Sequence, residues 1–119
     1  MKRDMDLIRK ILIEVEACED PFGPEDKLMI NGYEKKIVSY HVKLLCQAGL
    51  LEGHELKEVG SFKWLAGALT WEGHEFLDAA RDETRWNKAK SLVVEKAGSL
   101  MFETLKFALI QGIKTQLIP

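Results

Sequence analysis

Met5, Ile8, Ile11, Leu12, Val15 and Cys18 recur at spacings of three and four. That period lays one apolar stripe along a helix, so the chain opens with an amphipathic helix over roughly residues 4–18, with Asp4 or Asp6 placed to cap it. EDPFGPED (19–26) then breaks the period with two prolines and a glycine, and KLMI (27–30), bounded by Asn31-Gly32, predicts one short strand and a turn. From Glu34 a second helix begins. Ile37, Val38, His41, Val42, Leu44, Leu45 and Ala48 form its apolar stripe, and Lys36, Tyr40, Lys43 and Gln47 follow at offsets of four, three and four on the opposite side. Gly49 stands where a left-handed residue ends a helix, which would drop Leu50 and Leu51 back onto the core.

LLEGHELKEV and FKWLAGALT have strand length and are separated by Gly60-Ser61, so they predict a hairpin whose second arm is the more buried. Thr70 is placed to cap a further helix in which Trp71, Phe76, Leu77 and Ala80 face inward and which Gly73 weakens. Asp82 to Thr84 either break that helix or continue it. AGS (97–99) marks a clearer boundary, with Gly98 ending one helix and Ser99 capping the next, where Leu105, Leu109, Ile110 and Ile113 continue the period.

The order helix, short strand, helix, hairpin, helix predicts an α+β fold: a winged helix-turn-helix-like domain with a two-stranded wing over 1–82, then a C-terminal helical extension over 83–119. The helix that normally precedes a recognition helix is absent, compressed into NGYE, or formed irregularly within 20–27.

The 119 residues, 46% apolar and 30% charged, describe a globular chain rather than a disordered or membrane-spanning one. MKRDMDLIRK lacks the apolar core of a secretory signal, so a cytoplasmic location is expected. The net charge of −2 argues against a strongly basic nucleic-acid binder. Its distribution matters more, because residues 34–51 and 84–119 are locally basic whereas 52–83 is acidic.

Three segments, MKRDMDLIRKIL, GYEKKIVSYHVKLLCQAGLL and LTWEGHEFLDAARDETRWNKAK, together resemble a family of small uncharacterised bacterial and phage proteins, a domain of unknown function. They span residues 1–90 with gaps at the loops. The resemblance implies no activity. Separately, HVKLLCQAGLL is similar to the recognition helix of winged-helix repressors, and LTWEGHEFLD to the strand-to-helix junction after their wing; both bear on fold more than on function.

The chemistry on offer is chiefly that of the second helix. Lys35, Lys36 and Lys43 can neutralise phosphates, Ser39, Tyr40 and Gln47 can hydrogen-bond to backbone or bases, and a helix of this kind fits a major groove. The same stripe also suits a plain solvated face. Two features weigh against DNA: Arg3, Arg9, Arg81 and Arg85 all lie outside this helix and the hairpin, and Glu52, Glu55 and Glu58 make the hairpin acidic. Cys18 and Cys46 are expected as small core residues, His41, His54 and His74 match no metal signature, and no nucleophile or phosphate-loop motif occurs. Trp64, Trp71 and Trp86 are expected in the core. No catalysis, cofactor, metal or small-molecule ligand is therefore expected. Two readings stay open: a double-stranded-DNA-binding regulator of phage or prophage type, or a protein-interaction module on the same scaffold. The C-terminal helices are expected either to pair in a homodimer or to fold back on their own domain.

Overall fold

The computed structural model describes residues 1–58, 61–97 and 101–117, with side chains described except at 61–62, 95–97 and 116–117. The described elements are α1 (Met5–Ala17), α2 (Lys35–Gln47), β1 (Leu51–Glu58), β2 (Ser61–Leu69), α3 (Trp71–Ala80), α4 (Glu83–Ala97) and α5 (Phe102–Leu117). The fold is α+β, as expected. Two compact units divide it, Met1–Glu75 and Phe76–Pro119, with the boundary inside α3.

In the first unit, Asp4 caps α1 by accepting from the Leu7 amide at 3.1 Å. The predicted stripe of Met5, Ile8, Ile11, Leu12 and Val15 is buried; Leu7, outside that stripe, is buried too, whereas Cys18 is only half-buried. α2 ends on a paired motif: the Leu50 amide donates to the Leu45 carbonyl at 2.9 Å and the Gly49 amide to the Cys46 carbonyl at 3.1 Å. Gly49 has φ +76°, the left-handed conformation that this closure requires and that costs glycine little. Leu50 and Leu51 then return to the core, as the AGLL pattern implies.

β1 and β2 pair antiparallel, Leu51 opposite Leu69 and Glu58 opposite Ser61, with a register shift between Leu51 and Gly53. The predicted Gly60-Ser61 turn lies partly outside the described residues. KLMI forms no strand. The contact expected there falls two residues earlier, as an isolated bridge in which the Glu25 amide donates to the Ala66 carbonyl at 2.9 Å. The outer edge of β2 is thereby closed twice, because the Trp64 amide donates to Ser39 Oγ at 2.8 Å. Edge groups satisfied by a loop and a helix cannot template pairing with another strand.

Thr70 caps α3, accepting from the Gly73 amide at 3.0 Å and donating to the Gly49 carbonyl, which ties the start of α3 to the end of α2. Gly73 has a reason beyond helix propensity: a Cβ there would overlap the Leu50 carbonyl oxygen. The expectation for Trp71 is corrected. It is 77% exposed, since the first turn of α3 approaches Leu50 through Gly73 and turns Trp71 to solvent.

In the second unit, Phe76 stands edge-on to Trp86 at 6.3 Å between centroids and stacks on Phe102 at 5.0 Å. Leu77, Ala79, Ala80, Ala89, Val93, Leu105 and Leu109 are buried around them. The choice left open at 82–84 resolves as a break, with Asp82 capping α4 by accepting from the Arg85 amide at 2.7 Å. The boundary expected at Gly98 and Ser99 lies outside the described residues. Among the described residues, no helix is long and apolar enough to cross a membrane.

Candidate nucleic-acid interface

α2 turns about 100° per residue, which sorts its side chains into three directions. Val38, His41, Val42 and Leu45 are buried. Ser39 faces β2 through its bond to Trp64, and Cys46 approaches Gly53 of β1. Opposite the buried direction stand Lys36 and Gln47, both exposed, and Tyr40 and Lys43, both half-exposed, with Lys35 exposed beside them. Four of the six residues singled out in the sequence, Lys36, Tyr40, Lys43 and Gln47, thus share the outward side of the helix, while Lys35 and Ser39, four positions apart, lie along its flank. Ser39 Oγ accepts from the Trp64 amide, which occupies one of its two acceptor positions and links α2 to β2.

The helix is fixed in place by groups that the apolar pattern does not reveal. His41 is 1% exposed and has two partners: its Nε2 accepts from the Asp4 amide at 2.8 Å, and its Nδ1 lies 2.9 Å from the Ile37 carbonyl. An amide pointing at Nε2 requires a lone pair there, so the ring is neutral with its proton on Nδ1. Tyr33 donates to Asp4 Oδ2 at 3.3 Å, and Lys10 Nζ lies 5.4 Å from the centroid of the Tyr33 ring. Burial, then the charge of Asp4 and the hydrogen bond to it, raise the Tyr33 phenol above its ordinary value. This polar cluster joins the capped end of α1 to the middle of α2. The sequence signal for it was a histidine on an apolar stripe together with an acidic residue at a helix start.

The electrostatics of α2 are unusual at its beginning. Glu34, the residue preceding the helix, makes no side-chain cap, and the first turn carries Lys35 and Lys36 with no acid. A helix dipole favours negative charge at that end. The side chains of Lys35, Lys36, Lys43 and Gln47 make no hydrogen bond or ion pair among the described residues. The arrangement can therefore attract an anion by both fixed charge and dipole. Beside it, a groove of ≈ 350 Å³ runs between the start of α2, the 25–28 loop and β2. Its lining includes the lysines Lys35, Lys36 and Lys63, the acids Glu25 and Asp26, and Trp64.

Elsewhere the reactive groups are muted. Cys46 is half-buried and its thiol is raised by burial, which lowers its nucleophilic fraction. His54 and His74 are exposed, and among the described residues no group of three or more His, Cys, Asp or Glu could hold a metal ion.

Compared with known proteins, residues 2–99 match the family model described as "Hypothetical protein (DUF2513)". A protein of Haemophilus influenzae bearing the name "Uncharacterized protein" is 38% identical over 106 residues, covering 89% of this chain and 90% of that relative. No solved structure matches.

Proposed function

The chain belongs to the DUF2513 family, and for it we propose a role as a DNA-binding regulator that presents α2 to the major groove of a duplex. The carrying observation is the outward face of Lys36, Tyr40, Lys43 and Gln47, whose side-chain polar groups make no hydrogen bond or ion pair among the described residues, with Lys35 at its border, on a helix seated between α1 and the β hairpin. Lys35, Lys36 and Lys43 take backbone phosphates, Tyr40 donates to backbone, and Gln47 is the side chain available to bases. Ser39 links helix and hairpin through its bond to the Trp64 amide. The bridge from Glu25 to Ala66 supports a winged-helix arrangement, since it supplies a third strand position beside the wing where KLMI alone does not. With no arginine on this face and an acidic hairpin beside it, one subunit binds weakly. We therefore place the working form as a homodimer paired through its C-terminal helices, which doubles the contacts.

Titrating a labelled duplex at several salt concentrations tests this reading. Affinity is expected to fall with salt, and Lys43→Ala to reduce the slope of log K against log salt by about one for each bound subunit. Absence of salt-dependent binding at micromolar protein would sink it. Phe22, Met29 and Trp71, large apolar side chains that the first unit leaves exposed, favour a second reading, a protein-interaction module. In that case a protein partner is captured from the host while Lys43→Ala leaves all binding unchanged.

A further inference from the structure

α5 buries Leu105 and Leu109 completely, and that accounts for one side of it. On the other side Glu103, Phe107, Ile110 and Lys114 follow at offsets of four, three and four, so they line one face. Phe107 is 63% exposed and Ile110 37%. Glu103 and Lys114 are exposed at the two ends of this face and form no ion pair among the described residues.

The face has an internal symmetry. Phe107 and Ile110 are centred on the point between residues 108 and 109, and so are Glu103 and Lys114. A two-fold axis through that point, relating two antiparallel copies of α5, sets Phe107 against Ile110 of the second copy and Glu103 against Lys114 of the second copy, each twice. Self-complementarity of this kind is what an isologous interface requires.

We propose that this face of α5 is the surface through which a second copy of the chain docks, with Phe107 and Ile110 as the apolar centre and Glu103 and Lys114 as the polar ends. The proposal rests on the reading of the C-terminal helices as the pairing element and names the residues and the direction. An acid in the first turn and a lysine in the last also suit the dipole of α5 alone, so the test must separate effects within one chain from effects between two. A single helix face is small for an interface, which fits a concentration-dependent dimer rather than an obligate one.

Sedimentation velocity over a wide concentration range, on the full chain, reads this directly. The unaltered protein is expected to shift from monomer to dimer, and Phe107→Glu to raise the dissociation constant at least about tenfold. Glu103→Lys and Lys114→Glu should each weaken self-association several-fold, since each sets like charges together twice. An equimolar mixture of those two variants should associate about as well as the unaltered chain, because every contact in the mixed dimer again joins a lysine to a glutamate. The helix dipole provides no such rescue, and circular dichroism checks that each variant is folded. A mixture that behaves as the sum of its parts overturns the proposal, as does a Phe107→Glu variant that dimerises normally; pairing through another face then still stands. A chain that stays monomeric throughout overturns the pairing itself, while duplex titration continues to report on α2 separately.

Discussion

His41 is a histidine on an apolar stripe that turns out to be buried and fully occupied, accepting from the Asp4 amide and facing the Ile37 carbonyl. Replacing it with leucine keeps the bulk and removes both bonds, leaving the part-buried Asp4 amide unpaired, so His41→Leu is expected to cost about 1–3 kcal/mol in urea denaturation. Tyr33 and Cys46 give a pH dependence of definite sign. Both hold their protons more firmly in the folded chain than in the unfolded one, Tyr33 by burial and the Asp4 carboxylate, Cys46 by burial. The folded state therefore binds more protons above their ordinary values of 9.0 and 10.0. Their contribution is whole below about pH 9 and is lost as pH rises through the raised values. Urea midpoints between pH 8 and 11 should decline, and Tyr33→Phe combined with Cys46→Ala should flatten that decline; an undiminished slope in the double variant would place its origin elsewhere. The Asp4 partners of His41 and Tyr33 were not readable from spacing, because they join residues 37 and 29 positions apart in the chain.

The elements themselves were largely legible. The two first helices, the hairpin, the cap at Thr70 and the glycine closure at Gly49 all follow from local chemistry, because each depends on residues within one or two turns of the other. KLMI misled because a four-residue apolar run satisfies strand and loop alike, and the bridge to β2 formed at Glu25 instead. Trp71 misled in another way. Its burial depended on how closely the start of α3 meets Leu50, and Gly73 sets that distance. Ser39 shows how such a seam acts on a site. On a helical wheel it borders the outward stripe, yet its oxygen is the acceptor for the Trp64 amide. Ser39→Ala is expected to cost about 1–2 kcal/mol and to speed deuterium exchange at the Trp64 amide selectively. Unchanged exchange there would mean that α2 does not hold the edge of β2.

For the whole molecule, the proposed helix face and the proposed pairing face make a joint prediction. If two copies bind one duplex, Lys43→Ala removes two phosphate contacts from the complex and the salt slope falls by about two; in a Phe107→Glu background it falls by about one and overall affinity drops. A slope change that is the same in both backgrounds separates pairing from duplex binding. The net charge of −2 carries little weight against the local pattern, since phosphates respond to fields within about a Debye length, 8–10 Å at ordinary salt.

Periodicity and capping chemistry, both properties of neighbours along the chain, were enough to define an α+β chain, to place α1, α2 and the hairpin, and to gather Lys36, Tyr40, Lys43 and Gln47 on one side of a helix, with Lys35 at its border. The anchoring of α2 by Asp4 and His41, the closing of the β2 edge by Glu25 and Ser39, and the exposure of Trp71 came from contacts between segments distant in the chain. Hydrogen-bond partners of that sort are chosen by where folded elements meet, and a linear pattern records which residues could serve without recording which of them do.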